Sequence, residues 1–571
     1  MTSPLCTQYA GACLHRHPSV CAFPPDLERR QGNFIVEARE GPYPTRDHAT
    51  IAQDVRMHCI DQFVSYLARR PPDPSTIFFA FYAWFKYKFS YWARRGVKGP
   101  SPTFPFGNMR DVIFRRKQLF QPYCDSYNTY KHLPYVGLYS FSIPVLCIND
   151  PNLAKHILIK DFDYFQSHGI FTSSVGDPFG GHIFNIHGDK WKALRTKLSP
   201  AFTLGKLKSF FPLVDKISNE GLQYGDMMYE KGEVINFSDF YSTYAMENIS
   251  SIGFGVNNNG FKSNTEFHKR GRQFFEYTSF YRTVTRAIAF FAPEAFKALR
   301  INRFDPGIYN FFYNLVRDAV DYRKKNSYRR NDFLQTLIDI KDRDTLPSLS
   351  GTEEYRLTFN DIIANTLLYM FAGYETSATT GMFAAYELAK NPAVQAKARE
   401  EVIRVLEKHN NEWTYEAQND MTYITMVLEE TMRKYPPMRA LFRRCNKDFK
   451  VPDSDFVIEN GTLLFIPIQA IQMDPDIFEN PEQFDPERFT PEKKAKMHPC
   501  HWMPFGEGPK KCLGIRQGYI QSKMLLVKLL TKYELALDEK TEDPIRIKAT
   551  SFSCAPESGI WIKLKKKDYF S

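Results

Sequence analysis

The stretch Phe505-Gly-Glu-Gly508-Pro-Lys510-Lys-Cys512-Leu-Gly514 decides the fold of this chain. It places one thiol between two glycines, with two lysines before it and an apolar-rich segment from Leu513 to about Tyr533 after it. The apolar spacing of that segment predicts a buried helix. Cys512 would then lie at the helix N-terminus, where the dipole and unpaired backbone N–H groups favour a thiolate.

The glycines leave backbone uncovered on both sides of this sulfur. Because Gly508 and Gly514 have no Cβ, a large flat group could approach the backbone there, and Phe505 offers an aromatic cover. A thiolate beside a planar cofactor predicts a haem-iron ligand. A lone free cysteine is more often a packed core thiol, so the pattern around Cys512 is what favours ligation.

The spaced pattern Phe-x-x-Gly-x-[basic]-x-Cys-x-Gly resembles the haem-binding loop of the cytochrome P450 family. The resemblance implies that Cys512 is the proximal iron ligand, that Phe505 and Lys510 contact the cofactor, and that this cofactor is haem b, iron protoporphyrin IX. The family usually has Arg where this chain has Lys510. Lysine keeps the positive charge but lacks the planar fork that suits a carboxylate.

A second motif, Ala372-Gly373-Tyr-Glu375-Thr376, lies in a largely apolar stretch over residues 357–388. On a helix, Ala372 and Gly373 share a face with Thr376 and leave room for a ligand, and the Thr376 hydroxyl can bond to the Ala372 carbonyl and open a polar notch. A small-residue helix contact with a surface acid would use the same residues. The motif also resembles the oxygen-activation motif of the family. That implies Thr376 and Glu375 as catalytic residues in proton delivery, with Gly373 at the cofactor.

Further cations suit the two haem propionates. Trp191 and Arg195 are four residues apart, which places them on one face of a predicted helix, and Arg443 lies at the start of a predicted strand. Each of these cations alone is more often part of a surface ion pair. Both match positions at which the family contacts the propionates, and an Arg fork suits a carboxylate.

Glu430 and Arg433 are one helical turn apart, a spacing that means little on a surface. They resemble the Glu-x-x-Arg pair of the family, and Arg488 in Phe-Asp-Pro-Glu-Arg-Phe resembles its third member. The resemblance implies a buried charge network that supports the cysteine loop and takes no part in catalysis.

Composition narrows the function classes. The 571 residues carry a net charge of +11, with 49 Phe and 32 Tyr for a large apolar interior. The charge excess fits a membrane surface or an acidic protein, and no nucleic-acid module is apparent, so no nucleic-acid partner is expected. Ten scattered cysteines predict a reduced, cytosol-facing body.

A zinc site is the alternative for the cysteine and histidine residues near the loop: His498, Cys500, His501 and Cys512. Their spacing matches no common zinc motif, which disfavours zinc.

We expect the chain to divide into three parts. Residues 1–75 form an atypical leader, with disorder as one outcome, and lack the apolar core of a signal peptide. Residues 76–105 combine a short apolar and aromatic run with a proline hinge; they resemble a truncated membrane anchor, and a core or interfacial helix is the alternative. The run is too short to cross a bilayer core of about 30 Å. Residues 106–571 form the haem-thiolate monooxygenase domain.

Four other segments carry expectations about structure. Residues 135–148 predict two short strands, and the tail over residues 535–566 predicts strands and a turn. The charge-rich segment 323–332 predicts a solvated linker. Residues 277–293 contain no acid, which predicts either a buried helix end or a surface that dips into lipid.

The resemblance implies a mainly α fold with a small β-rich part, the P450 fold, a helical triangular prism around a buried haem. The proline hinge and residues 191–203 and 322–333 most resemble the insect family-six branch, whose members are microsomal and metabolise xenobiotics. Candidate pocket segments are Phe162–Ile183, Phe274–Ile288, Tyr369–Thr376, Met438–Phe442 and Ser551–Cys554.

The implied activity is monooxygenation of a lipophilic small molecule, such as a plant toxin, an insecticide or a hormone, at the cytosolic face of the endoplasmic reticulum membrane. The chain has no flavin or nicotinamide domain of its own, so NADPH-cytochrome P450 reductase is the expected donor and cytochrome b5 a second candidate. Lys510 and Lys511 would contribute to the docking surface. The alternatives are a haem-thiolate isomerase or dehydratase and a non-catalytic haem- or ligand-binding protein.

Overall fold

The computed structural model describes residues 73–169, 178–263, 265–275, 285, 305–343 and 355–567. The chain divides into two compact units, residues 1–77 and 78–571. The predicted leader lies outside the described residues up to residue 72, and the predicted lipid-facing segment 277–293 lies outside them except for Thr285.

Helices dominate the described chain, as the sequence predicts. The seventeen α-helices among the described residues are α1 Pro74–Phe89, α2 Arg110–Ile113, α3 Gln121–Tyr130, α4 Pro151–Lys155, α5 Gly188–Leu198, α6 Leu204–Glu230, α7 Phe237–Ile249, α8 Glu266–Phe275, α9 Pro306–Lys325, α10 Phe333–Arg343, α11 Phe359–Lys390, α12 Pro392–Lys408, α13 Tyr415–Asp420, α14 Thr422–Lys434, α15 Ile468–Gln472, α16 Pro491–Lys496 and α17 Ile515–Lys532.

Nine short strands form three small sheets within the same residues. They are β1 Tyr135–Ser140, β2 Ile143–Ile148, β3 Ile235–Asn236, β4 Leu441–Arg444, β5 Phe449–Lys450, β6 Val457–Ile458, β7 Leu463–Ile466, β8 Tyr533–Leu537 and β9 Trp561–Lys566. The sheet orders are β1-β2-β7-β4, β3-β9-β8 and β5-β6, and only the β2–β7 pairing is parallel. The two short strands predicted in residues 135–148 are confirmed by β1 and β2, which pair antiparallel, and the predicted tail strands are confirmed by β8 and β9.

Helix α11 is the longest described element and runs through the core. A capping box starts it: the Asp361 backbone N–H donates to Thr358 Oγ1 at 3.1 Å, and the Thr358 N–H donates to the Asp361 carboxylate at 2.9 Å. The helix ends at Lys390 because Pro392 follows closely. It packs against α7, α14 and α17. The predicted helix over residues 357–388 is therefore confirmed.

Helix α1 carries the apolar and aromatic run. The Phe85 ring is buried and packs on Phe104 with ring centroids 5.1 Å apart. Most of its other large aromatic side chains are exposed: Phe78, Phe79, Phe81, Tyr82, Trp84 and Tyr87. Its 16 residues span about 24 Å. Among the described residues, no helix has the length and hydropathy that a bilayer crossing requires.

The predicted solvated linker over residues 323–332 is wrong at both of its ends. Arg323 in the last turn of α9 binds Asp332 through two hydrogen bonds of 2.8 and 2.6 Å, and both side chains are buried. The Arg323 guanidinium also donates to Gln335 Oε1 at 3.3 Å. A charge-rich composition does not distinguish a solvated segment from a paired one, because the paired partners are defined only by the folded chain.

We expect Asp332→Asn to destabilise the protein by about 3 kcal/mol, since it leaves the Arg323 charge buried without a counter-charge. Urea unfolding of the purified protein measures this. The control is Asp318→Asn, which breaks the exposed Arg317–Asp318 pair on α9 and should cost less than about 1 kcal/mol. Equal losses in the two variants would contradict the assignment of a buried pair.

Candidate functional site

The cysteine loop is held by backbone contacts on both sides of the thiol. The Cys512 N–H donates to the Phe505 carbonyl at 2.9 Å, and the Lys511 N–H donates to the Gly508 carbonyl at 3.0 Å. Gly508 has φ +73° and approaches the Leu158 carbonyl so closely that any Cβ would overlap it. The space that a side chain at Gly508 would occupy is therefore filled by the backbone at Leu158. It is not open to a flat ligand, contrary to what the sequence suggested.

Gly514 behaves differently. It is the N-cap of α17, and a Cβ built on it would lie 3.8 Å from Phe202 Cε1 and 3.9 Å from Cys512 Sγ, which are ordinary contact distances. The backbone beside the sulfur is therefore open on this side. Helix α17 begins three residues after Cys512, close to the position that the sequence predicts.

Cys512 is exposed although the chain around it shields its sulfur. The residue is accessible, yet burial among protein atoms raises the pKa of its thiol. The hydrogen bond from the Gly514 backbone and the nearby Arg195 charge act in the opposite direction, toward a lower pKa. The sulfur is therefore open to a ligand while the surrounding chain encloses it.

The middle of α11 also has accessible residues where the rest of the helix is buried. Leu368, Ala372 and Thr376 are spaced by four and thus lie on one face; Ala372 is exposed, and the other two are half-buried. Thr376 Oγ1 donates to the Ala372 carbonyl at 2.5 Å, as predicted. A Cβ on Gly373 would lie 2.5 Å from Ile249 Cδ1, so the structure places Gly373 at the contact with α7.

Hydrogen bonds join these two regions. Gln517 on α17 donates to the Tyr369 hydroxyl on α11, and the Ser377 hydroxyl donates to Gln521 at 3.1 Å. Gln517 follows Cys512 by five residues, and Ser377 follows Thr376 directly. The thiol and the notch in α11 therefore lie on segments that pack directly against each other.

Four predicted cofactor residues converge next to the thiol. The Lys510 ammonium lies 4.9 Å from the centroid of the Trp191 ring and donates to the Ile186 carbonyl at 3.1 Å. Arg195 donates to the Lys511 carbonyl at 2.7 Å. Burial, followed by repulsion from Arg443 and Arg195, lowers the pKa of Lys510 to about 6.

Arg443 is the most deeply buried of these cations. Its side chain is 2% exposed, and burial lowers its pKa to about 10. Its guanidinium donates to its own neighbour, the Phe442 carbonyl, at 2.8 Å, and its Nε has no hydrogen-bond partner. No ion pair found among the described residues includes Arg443, Arg195 or Lys510.

This arrangement fits a dianionic ligand. Two guanidinium groups and the Lys510 amine converge without a carboxylate from the described part of the protein, which is costly unless an anion is supplied from outside. The lowered pKa of Lys510 has the same cause, and a bound anion would favour its charged form. The two propionates of haem would neutralise them, and Cys512 offers the single thiolate that haem iron needs. Across the described segments, no group of three or more His, Cys, Asp and Glu side chains is arranged to hold a bare metal ion.

One residue of this cluster was missed from the sequence. His168 is buried, stacks on Phe184 with ring centroids 4.0 Å apart, and bonds to the Phe184 carbonyl through Nδ1 at 2.8 Å. Burial and the charges of Lys510 and Arg443 hold its pKa well below the usual range. A single histidine in a loop has no spacing that would have identified it.

Glu375 contacts the C-terminal loop. Its Oε1 accepts hydrogen bonds from Ser553 Oγ at 2.6 Å and from Ser551 Oγ at 3.3 Å. Residues 551–554 were predicted pocket lining, and the structure places them at this carboxylate. Of the other predicted lining, residues 170–177 and most of 274–288 lie outside the described residues.

The predicted support network is confirmed. Glu430 and Arg433 form two hydrogen bonds of 2.6 and 2.8 Å, and Arg488 Nε lies 3.5 Å from Glu430 Oε1. Arg433 also donates to the Gln472 carbonyl at 2.9 Å. The Gln472 side chain in turn accepts from the Met503 N–H at 2.9 Å. The network thus reaches the chain two residues before Phe505.

Two predicted surface features of the loop need correction or refinement. The prediction that Lys510 belongs to a docking surface is wrong, because its side chain points inward. There its ammonium group contacts the Trp191 ring and the Ile186 carbonyl. Lys511 remains accessible and pairs with Glu507 at 2.6 Å. The Phe505 ring packs toward α17, with its centroid 5.5 Å from that of Tyr519.

Comparisons with known proteins identify the family. A family model described as Cytochrome P450 matches residues 97–562. "Probable cytochrome P450 6a23" of Drosophila melanogaster is 36% identical over 481 residues, which cover 83% of this chain and 95% of that protein. "Cytochrome P450 6k1" of Blattella germanica is 36% identical over 502 residues, with 85% and 95% covered. "Cytochrome P450 6B7" of Helicoverpa armigera is 31% identical over 493 residues, with 86% and 97% covered. The predicted resemblance to the insect family-six branch is confirmed.

The two glycines of the loop should respond differently to alanine. We expect Gly508→Ala to lower the free energy of unfolding by about 2 kcal/mol or more, because it adds left-handed strain and an overlap with Leu158. Gly514→Ala should cost less than about 1 kcal/mol, since its Cβ meets only ordinary contacts. Urea unfolding measures both. A larger loss for Gly514→Ala would contradict the geometry of the loop.

Proposed function

The chain belongs to the cytochrome P450 family and is a haem monooxygenase, and on this premise we propose that it inserts one atom of dioxygen into lipophilic small molecules. Foreign compounds such as plant toxins and insecticides are the favoured class, with hormones as the second. The observation that carries the proposal is an accessible, enclosed thiol beside three basic side chains that lack a carboxylate partner among the described residues.

Cys512 would ligate the haem iron through Sγ, and Arg195, Arg443 and Lys510 would bind the propionates. Bound haem would supply the iron centre that activates dioxygen. Lys510 is a point charge held over the Trp191 ring, so it would contribute charge rather than a two-pronged hydrogen bond. Arg443 would then supply the planar fork.

Thr376 and Glu375 would manage protons on the oxygen side. The Thr376 hydroxyl is anchored to the Ala372 carbonyl, and a hydroxyl can accept a second hydrogen bond while it donates this one. Glu375 is the adjacent group that can hold a proton. An isomerase or dehydratase that needs no reductase would have no use for this pair, and turnover of 7-ethoxycoumarin with reductase and NADPH separates these functions.

Electrons would come from NADPH through a flavoprotein reductase, with cytochrome b5 as a second donor. Lys511 remains from the predicted docking surface. Lys190 and Lys192 are exposed on α5, the helix whose Arg195 contacts the loop, and would extend this surface. A cationic surface of this kind would attract an acidic partner. The exposed aromatic residues of α1 would attach the protein to the cytosolic face of the endoplasmic reticulum membrane.

The reduced protein with carbon monoxide should show the absorption band of thiolate-ligated haem, and Cys512→Ser should lose that band while the protein remains folded. The physical reason is that only the thiolate donates enough charge to the iron. The control is Cys445→Ser, because Cys445 Sγ donates to the Lys447 carbonyl at 2.8 Å and a serine hydroxyl can take over this bond. An intact band in Cys512→Ser would refute the proposed ligand.

Replacing Arg443 should raise the stability of the haem-free protein and lower its affinity for haem. In Arg443→Met we expect the haem-free form to gain stability, because a buried charge without a partner is removed. Haem affinity should fall about tenfold or more, since a charge-assisted hydrogen bond is lost. Urea unfolding and the rate of haem transfer to apomyoglobin measure the two effects. Arg444→Met is the matched control and should leave haem affinity unchanged.

A further inference from the structure

The C-terminal loop makes a polar contact with the centre of α11 that the proposed reaction does not yet use. Ser551 and Ser553 both direct their hydroxyls at the same oxygen, Glu375 Oε1, and these two hydroxyls are 3.4 Å from each other. Ser553 is 2% exposed and Glu375 is half-buried, so this 2.6 Å hydrogen bond is partly shielded from water. Two donors on one carboxylate oxygen restrict where the carboxylate can turn.

The loop is built to hold this position. Its base is closed by backbone hydrogen bonds from the Lys548 N–H to the Ala555 carbonyl and from the Glu557 N–H to the Arg546 carbonyl, both at 2.8 Å. The Ser551 N–H also donates to the Lys548 carbonyl at 3.1 Å. The serine hydroxyls are therefore presented by a closed turn and not by a freely moving chain.

A buried glutamine fixes the tip of the turn. Gln118 Nε2 donates to the carbonyls of Ser551 at 3.2 Å and Phe552 at 3.1 Å. Its Oε1 accepts from Arg439 at 3.3 Å. Hydrogen bonds thus link Arg439 through Gln118 to the turn that holds Glu375.

Apolar packing aligns the same turn along α11. The Phe552 ring lies 5.5 Å from the Phe120 ring and 6.0 Å from the Phe371 ring. Phe371 is four residues before Glu375, so the ring contact and the carboxylate contact lie on one face of the helix. The turn therefore binds α11 at two successive points on that face.

We propose that Ser553, assisted by Ser551, is a positioning residue that sets the orientation of the Glu375 carboxyl next to Thr376. The inference rests on the proton-handling role proposed above for Glu375. A carboxyl that is free to rotate would deliver protons less often, whereas one held by two hydroxyls keeps the same orientation in each turnover. The C-terminal loop, predicted to line the substrate pocket, would then also control proton supply.

The contact itself is tested by hydrogen exchange in the haem-loaded full chain. Ser553→Ala should speed amide exchange of residues 549–555 about tenfold, the factor expected when a hydrogen bond to a charged group is lost. In a Glu375→Ala background, the same serine change should add less than about twofold, because its partner is already gone. Equal effects in both backgrounds would overturn the proposal.

The positioning role is tested with reductase and NADPH, with and without 7-ethoxycoumarin as a lipophilic probe. In Ser553→Ala we expect a severalfold larger share of electrons to leave as hydrogen peroxide, and a larger solvent deuterium isotope effect on NADPH consumption. Ser553→Thr, which keeps the hydroxyl, should restore both. Unchanged peroxide release and an unchanged isotope effect would overturn the role even if the exchange result holds.

Two controls separate this inference from other failures. Ser126→Ala removes another buried hydroxyl, one without a hydrogen-bond partner in the described structure, and should leave all of these readouts unchanged. The carbon monoxide spectrum of the unaltered protein tests the proposed function independently. A missing thiolate band would refute the proposed function, whereas a normal band with additive exchange effects would refute only the role of Ser553.

Discussion

Around the cysteine loop, basic side chains are buried without a counter-charge from the part of the protein that the structure describes. Arg443 lies in the interior with an unpaired Nε, and Lys510 and Arg195 face the same region. Taking such charges out of water costs free energy, which an anion that binds with them would recover. If haem is that anion, its binding and the stability of the fold would be linked through the same side chains.

Hydrogen bonds elsewhere in the molecule hold the cysteine loop and α11 in fixed relative positions. The Glu430–Arg433 pair is fully buried and joins α14 through Gln472 to the segment before the cysteine loop. On the other side, α17 is tied to α11 by the Gln517–Tyr369 and Ser377–Gln521 contacts. The cysteine loop is thus fixed at both ends, while Gly514 leaves the backbone beside the sulfur open.

Local patterns predicted much of this site because their physics is local. The Thr376–Ala372 hydrogen bond follows from a four-residue spacing on a helix, whereas the buried Glu430–Arg433 contact was implied by the family resemblance and not by its three-residue spacing. The segment 323–332 was misjudged for the opposite reason, since its charges look solvated until Arg323 meets Asp332. The placement of Lys510 on a docking surface was misjudged in the same way, because a sequence does not reveal that this lysine lies against Trp191.

The sequence alone was enough to predict the mainly helical fold and the Thr376–Ala372 contact in α11, because the patterns that indicate them lie within a few turns of chain. Through the family resemblance it also predicts Cys512 as the thiol ligand. Only the tertiary structure decided which groups share the interior with them. Ser553 and Glu375 are separated by 178 residues, and Arg195 and Lys511 by 316. Contacts at such separations depend on how whole elements pack, and no periodicity in the chain records that.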